Sequence, residues 1–376
     1  MRLLTITNLY PGDDMPRHGI FVEERLRQLV QSGKLSAEVI ALRPGRGKAR
    51  SVGERHGIRI HYLPVPTLPL ITNWIDPVLW SHAVRPVVSG FVEQMGDDII
   101  LDGHFLYPDG AATALLGRRF GLPVVLTARG SDVNVKCENP VIRRWVRWAC
   151  ESSAAIVTVS KALKKRLAEL GVEANKIHVL RNGVDLDKFD LTDSGHDNSG
   201  SDAGLSLLSV GHLVEAKGHQ LLIEAIARIP EARATIIGEG PDEYSLRQLA
   251  EGLGVSGRVI FLGHVPHGDL AEYYRAADAT VLASSREGMP NVVLESLACG
   301  TRVVATDVGG IAEVVVSPEA GFLMFDRSMT SLLNALRQLQ NSSCKREVTR
   351  QYAAANLGWQ PTIDRQVDLY EKVAGH

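Results

Sequence analysis

Glu287 and Glu295 bracket seven residues in the stretch EGMPNVVLE, residues 287–295. The apolar run Ala279–Ala283 before it reads as a strand, and about Pro290–Cys299 reads as a helix. The order is therefore carboxylate, tight Gly/Pro turn, helix start, second carboxylate. Backbone amides near Asn291, Val292 and Val293 would point out of that helix start, which carries about half a positive charge and suits an anion. A diphosphate and a polyhydroxylated sugar would fit such a corner, with the carboxylates accepting hydroxyl hydrogen bonds. Taken alone, the pattern is equally an ordinary helix N-terminus after an acidic turn.

The neighbouring motifs narrow the reading. Upstream lie Gly211-His212, Lys217-Gly218 and Gly238-Glu239-Gly240-Pro241; downstream lie Ala298-Cys299-Gly300 and Gly309-Gly310 with Glu313. With the E-x7-E spacing, these resemble the GT-B glycosyltransferases of family 4, in which that spacing marks the donor site. The resemblance spans nearly the whole chain and is densest over residues 205–315. It implies an α/β chain of the GT-B type, two doubly wound Rossmann-like domains facing across a cleft. The activity it implies is retaining transfer from a nucleotide-diphosphate sugar, UDP- or GDP-linked, to a glycan or lipid-linked acceptor. The setting it implies is bacterial exopolysaccharide, capsule or cell-wall polymer synthesis, with no cofactor beyond the co-substrate and no metal.

The resemblance also assigns residues. Lys217 stands where the family holds the donor diphosphate and stabilises the leaving group. His212 stands where the family has an arginine, and a neutral imidazole supplies less charge than a guanidinium. Gly211 and Gly238 belong to strand-to-helix turns lining the nucleotide pocket, and backbone near Val265 would contact the base. Glu287 would face the transferred sugar and Glu295 would grip the ribose hydroxyls. In the first half, His104 matches a histidine near the donor sugar and the attacking acceptor. Arg129-Gly130-Ser131-Asp132 resembles the family's His-Gly-Ser/Thr-Asp, with Arg129 in place of the histidine. Asp132 would orient the acceptor or cap a helix. The loop from Tyr10 to Phe21 resembles loops that close over donor and acceptor, with Gly19 letting backbone approach the ligand. The expected catalytic set is His104, Lys217 and Glu287.

Other chemistries fit less well. Gly238-Glu239-Gly240 lacks the third glycine of a dinucleotide fingerprint, since Glu243 stands there. A glycosidase carboxylate pair flanks an open groove rather than a helix start beside a phosphate site. Asp185-Leu186-Asp187 spells a manganese-type D-x-D but precedes a linker, so it reads as a turn. A sugar-nucleotide epimerase would share the diphosphate site without an acceptor. A non-catalytic nucleotide-sugar binder would account for the departures at His212 and Arg129.

These residues need a scaffold, and the pattern supplies one. Strands and helices alternate, which implies parallel α/β layers. Strands are expected at Leu3–Thr7, Glu38–Leu42, Ile99–Asp102, Val124–Thr127, Ala155–Val159 and Lys176–Leu180, then Ser206–Val210, Thr235–Gly238, Val259–Leu262, Ala279–Ala283 and Arg302–Ala305. Helical patterns include Phe21–Gln31 and Ala111–Phe120. The polar, Gly/Ser-rich stretch 190–204 reads as a linker between a first domain, 1–189, and a donor domain, 205–356. By resemblance, a final helix over about 357–374 returns to the first domain.

With 376 residues, the chain is comfortable for two domains, and 45% hydrophobic with 22% charged residues is globular. The four cysteines, Cys137, Cys150, Cys299 and Cys344, show no C-x-x-C and suit a reducing cytosol. The opening MRLLTITNLYPG lacks the features of a signal peptide. The net charge of −2 conceals an asymmetry: residues 1–189 hold 26 Lys and Arg against 19 Asp and Glu. A basic first half suits an anionic membrane surface or a lipid-phosphate acceptor, and nothing points to nucleic acid. Pro140–Cys150, PVIRRWVRWAC, sets Arg143, Arg144 and Arg147 beside Trp145 and Trp148, as an interfacial helix would. Trp74 and Trp80 could join it. The expected location is the cytoplasm, with peripheral contact at the inner membrane face through 140–150.

Overall fold

A computed structural model describes the chain except residues 14, 17, 46–49, 68–73, 97, 192–203 and 376. Most of the expected linker, 190–204, thus lies outside the described residues. The chain divides into two compact units. The first is Met1–Asn182 with Gln360–His376; the second is Gly183–Trp359.

The first unit holds strands β1 (Arg2–Thr7), β2 (Ser36–Pro44), β3 (Ser51–Arg55), β4 (Ile58–Val65), β5 (Ile99–His104), β6 (Val124–Ala128), β7 (Ala155–Thr158) and β8 (Ile177–Val179). They form one sheet in the order β3-β4-β2-β1-β5-β6-β7-β8, parallel except for β3 against β4. Central strands β5 and β6 are buried at every position. Helices cover both faces of such strands, so their sequences read as apolar runs rather than alternation.

The second unit holds β9 (Ser206–Val210), β10 (Arg233–Ile237), β11 (Val259–Gly263), β12 (Ala279–Leu282), β13 (Arg302–Thr306) and β14 (Gly321–Met324). All pair in parallel, in the order β11-β10-β9-β12-β13-β14. Its core joins Leu207, Ile236 and Val281 of the sheet to Leu222, Ile223 and Ile226 of helix His219–Arg228 and to Leu332, Leu336 and Leu339 of helix Met329–Asn341. Spacings of three and four put those side chains on one helical face.

Three strands escape the sequence reading. The β3–β4 hairpin turns at His56-Gly57, whose φ angles of 53° and 75° make both central residues left-handed. That is the two-residue hairpin geometry usually signalled by Asn-Gly or Asp-Gly, and His-Gly hides it. Strand β14 is only four residues at the sheet edge. The unit boundary also falls earlier than residue 189. Val184 N–H donates to the Leu357 carbonyl (2.9 Å), and Arg350 donates to the carbonyls of Leu186 (2.7 Å) and Phe189 (3.0 Å). These bonds tie segment 183–189 to the second unit.

The final helix, Gln360–Ala374, packs in the first unit. Its Tyr370, fully buried, donates from Oη to Asp102 Oδ1 (3.2 Å) and accepts from Gln366 Nε2 (2.7 Å). Tyr370→Phe leaves a buried carboxylate oxygen and an amide without this partner. It should cost about 1–3 kcal/mol, read as a lowered denaturant midpoint; an unchanged midpoint would show the hydroxyl is dispensable.

Candidate functional site

Each sheet reverses its strand order once. In the second unit the reversal lies between β9 and β12, and in the first between β1 and β5. At such a point adjacent crossovers leave to opposite sides and leave a crevice at the carboxyl ends of the two strands, the usual ligand position in open α/β sheets.

In the second unit the loops at that crevice carry Lys217 and Glu287. Lys217 Nζ donates to Glu287 Oε1 at 2.6 Å, and Ser284 Oγ donates to the same oxygen at 2.8 Å. Their side chains are 26% and 10% exposed. The sequence reading gives the two residues separate ligands; the structure brings them together as an ion pair. The loops are also stitched through backbone, with Ser285 N–H donating to the Ala216 carbonyl (2.8 Å). A lysine and a carboxylate at one partly dry site offer a cation for phosphate oxygens and an acceptor for hydroxyls.

Gly211 and Gly238 bring the loops after β9 and β10 into backbone contact. Gly238 has φ 143°, and a Cβ there would lie 1.8 Å from the Gly211 carbonyl oxygen. The side chain of His212 is exposed. Its carbonyl accepts from Nε2 of His219 (3.3 Å), whose Nδ1 accepts from Ser209 Oγ (3.0 Å). His219 is buried, and burial pulls its pKa down to about 4. The sequence reading passes over it, because a histidine opening a helix carries no signal by itself.

Helix Asn291–Ala298 begins after Pro290. The expectation of three outward amides is corrected at Val293, whose N–H donates to the Pro290 carbonyl (3.2 Å). Asn291 and Val292 stand at the helix start, half-buried, and Val265 lies half-buried in the loop after β11. Glu295, one turn in, is buried and already engaged. His267 Nε2 lies 2.9 Å from its Oε1, and Tyr274 Oη donates to its Oε2 at 2.9 Å. His267, Tyr274 and Lys188 are missed from sequence, although the motif at 263–266 stops one residue short of His267.

In the first unit, the expectation of a ligand-facing His104 is corrected. The side chain is fully buried, and both ring nitrogens are taken. Nε2 is 2.7 Å from Asp102 Oδ2, and Arg129 Nη2 is 2.6 Å from Nδ1. A guanidinium only donates, so Nδ1 carries the lone pair and Nε2–H donates to Asp102. Burial lowers the His104 pKa despite Asp102. Burial opposes ionisation of Asp102 too, but His104 and Thr5 hold its pKa below the usual value. Arg129 also donates to Asn182 Oδ1 (3.1 Å) and lies over the ring of Phe21. Asp132 accepts from the N–H groups of Leu106, Arg129, Gly130 and Val133. Its carboxylate therefore organises backbone. Gly19, with φ 79°, is required by its own loop, since a Cβ there would meet the Leu9 carbonyl at 2.2 Å. At the switch point itself, Asp109 accepts from Asn8 N–H (2.8 Å), and burial raises its pKa to about 8.

Helix Pro140–Glu151 is capped by Asn139, whose side chain accepts from Val141 and Ile142. Trp145 and Trp148 meet edge to face with centroids 5.5 Å apart, and Trp145 Nε1 donates to the Trp74 carbonyl (2.7 Å). Trp74 is 60% exposed. Trp80 does not join them: it is buried and bonded to the Pro66 carbonyl. No helix among the described residues is long and apolar enough to cross a membrane. Asp185 Oδ1 accepts from the N–H groups of Asp187 and Lys188, which makes the D-x-D a turn.

Two doubly wound α/β units with ligand-side loops at their strand-order reversals define the GT-B class. The family described as "Glycosyl transferases group 1" matches residues 198–356, and "Glycosyltransferase Family 4" matches residues 19–188. A protein of Bacillus subtilis (strain 168), named as a teichuronic acid biosynthesis glycosyltransferase, is 28% identical over 99% of this chain and 94% of its own length. The N-acetyl-alpha-D-glucosaminyl L-malate synthase of Bacillus anthracis is 30% identical over 74% of this chain and 78% of its own. The structure of Anabaena HepE in complex with UDP superposes with a TM-score of 0.76 at 16% identity, covering 99% of this chain and 100% of that one. The chain belongs to family 4 of the GT-B glycosyltransferases and is a glycosyltransferase.

His219 gives the loops at the second unit's switch point a pH dependence. The folded chain keeps it neutral down to about pH 4, whereas the unfolded chain protonates it near pH 6.5. The unfolded state thus binds more protons between these values, and stability falls as pH drops through that window. The loss from this group should reach about 2 kcal/mol at pH 5. His219→Gln, which keeps a donor for the His212 carbonyl, should remove that part of the loss when melting is compared at pH 7 and pH 5. Identical acid sensitivity of the two proteins would refute the assignment.

Proposed function

We propose that this glycosyltransferase moves a sugar, with retention, from a nucleoside-diphosphate sugar to a glycan or lipid-linked acceptor in bacterial exopolysaccharide, capsule or cell-wall polymer synthesis. The observation that carries the proposal is the Lys217–Glu287 pair at the switch point of the second unit. The diphosphate draws Lys217 toward its oxygens, and the ammonium stabilises the negative charge that grows as the sugar leaves. Glu287, relieved of its lysine, accepts a hydroxyl of the sugar and holds it for attack. Retention follows when the acceptor hydroxyl approaches the sugar on the face the diphosphate leaves. Lys217 supplies the cation at the leaving group, so the reading requires no metal. His212, exposed beside Gly211, is a further donor to the phosphates.

Two similar proteins support the donor and the setting: the Bacillus subtilis relative is named for teichuronic acid synthesis, and HepE was solved with UDP. For the acceptor side, the exposed Trp74 beside Trp145, Trp148, Arg144 and Arg147 supports peripheral contact with an anionic membrane at the cytoplasmic face. In the first unit, the buried Asp102–His104–Arg129 row holds its loops in place instead of exchanging protons with substrate.

A thermal-shift panel of UDP, GDP, ADP, dTDP and NAD, with and without magnesium, tests the donor. One nucleoside diphosphate should raise the melting point without magnesium. Stabilisation by NAD alone would end this reading. With the matching sugar nucleotide, Glu287→Gln should lower kcat by at least about 100-fold while nucleoside diphosphate affinity stays within a few-fold. Full transfer by that variant would remove Glu287 from the site, and turnover without an acceptor would favour an epimerase.

A further inference from the structure

Glu295 sits at the centre of a row of side chains drawn from four parts of the second unit. It lies on helix Asn291–Ala298 and is 5% exposed. Tyr274, from helix Leu270–Ala276, holds one carboxylate oxygen at 2.9 Å, and His267, from the loop after β11, holds the other at 2.9 Å. On the far side of the imidazole, Lys188 Nζ lies 2.8 Å from His267 Nδ1. Phe189 packs on both neighbours, its ring centroid 5.2 Å from His267 and 6.2 Å from Tyr274.

The direction of each bond follows from the chemistry of the ends. An ammonium has only protons to offer, so Nδ1 must carry the lone pair. The single ring proton is then on Nε2, aimed at Glu295. The phenol donates to the second oxygen, and burial with the carboxylate beside it raises the Tyr274 pKa well above its ordinary value, so it remains a donor. The carboxylate is thus fixed in plane and in rotation by two donors, and Lys188 fixes the tautomer of one of them. Each carboxylate oxygen can accept more than one hydrogen bond. The remaining positions are those of a rigid, bidentate acceptor for two neighbouring hydroxyls.

We infer that His267 is a positioning residue that, set by Lys188 and paired with Tyr274, holds Glu295 to receive the vicinal diol of the donor's ribose. The inference rests on the donor-site reading above and names the residues that make it selective. A carboxylate already held in its bound geometry does not lose side-chain freedom on binding, which is where its contribution to affinity arises. The inference therefore assigns the network's effect to the two hydroxyls.

The test uses the full chain and a pair of ligands, UDP and 2′,3′-dideoxy-UDP (or the GDP pair, if the nucleotide panel selects guanine), titrated calorimetrically. The wild type should prefer the ribose form by at least about 10-fold, since each of the two hydroxyls gains a hydrogen bond to the carboxylate. In His267→Ala that preference should shrink to within about three-fold, through weaker binding of UDP and little change for the dideoxy form. His267→Gln, which can still donate to Glu295, should recover most of it, and Lys188→Met should fall between. If His267→Ala weakens both ligands equally, the residue is only structural and the inference fails. If the wild type itself does not distinguish the two ligands, the donor-site reading fails at Glu295 and takes the inference with it. Should His267→Ala not fold, Lys188→Met and His267→Gln carry the same comparison, and an unchanged preference in Lys188→Met would overturn the role of the tautomer.

Discussion

Lys217 and Glu287 are 70 residues apart and meet at 2.6 Å because β9 and β12 are neighbours where the strand order reverses. The rest of the second unit's crevice depends on that juxtaposition. The two loops are bound to each other through backbone, and the loop after β10 is pressed against Gly211 so closely that only glycine fits at 238. Side chains held this way are presented by packed backbone rather than by flexible tips. That suits the proposed chemistry, in which placement of charge does most of the catalysis.

Polar residues at the first unit's strand ends follow a different logic. Asp102, His104 and Asp132 are all fully buried, and each has its partners. Satisfied networks of this sort rigidify a core, whereas a single broken link leaves a costly orphan. Tyr370 brings the last helix into the network, so the chain's final segment stabilises the strand that carries Asp102 and His104. Arg129, where the resemblance expects a histidine, reaches His104 Nδ1 with a donor that has no acceptor capacity, and thereby sets its tautomer.

Much of the architecture was legible in the residues. Buried parallel strands declare themselves as apolar runs, and β1, β5, β6, β9 and β12 were visible for that reason. The β3–β4 hairpin was not, because its turn is His-Gly and its outer strand has a single apolar residue, Val52. Among site residues, Lys217 and Glu287 could be named from motif spacing, since each stands in a turn after a strand. His219, His267 and Tyr274 could not. They act through partners 10, 28 and 21 residues away, and nothing in their local sequence marks them.

The glycosyltransferase family entered only through the resemblance of the motifs; by itself, the sequence determined two parallel α/β domains and a strand-to-helix corner with paired glutamates. Those features are written in local periodicity, turn residues and short spacings, each settled within a few residues by backbone sterics and burial. Only the tertiary structure decided which groups meet. It paired Lys217 with Glu287, sealed His104 between Asp102 and Arg129, and fixed Glu295 between His267 and Tyr274. Hydrogen bonds act over about 3 Å, and distances of that size between remote residues exist only once the sheets have set the strand order.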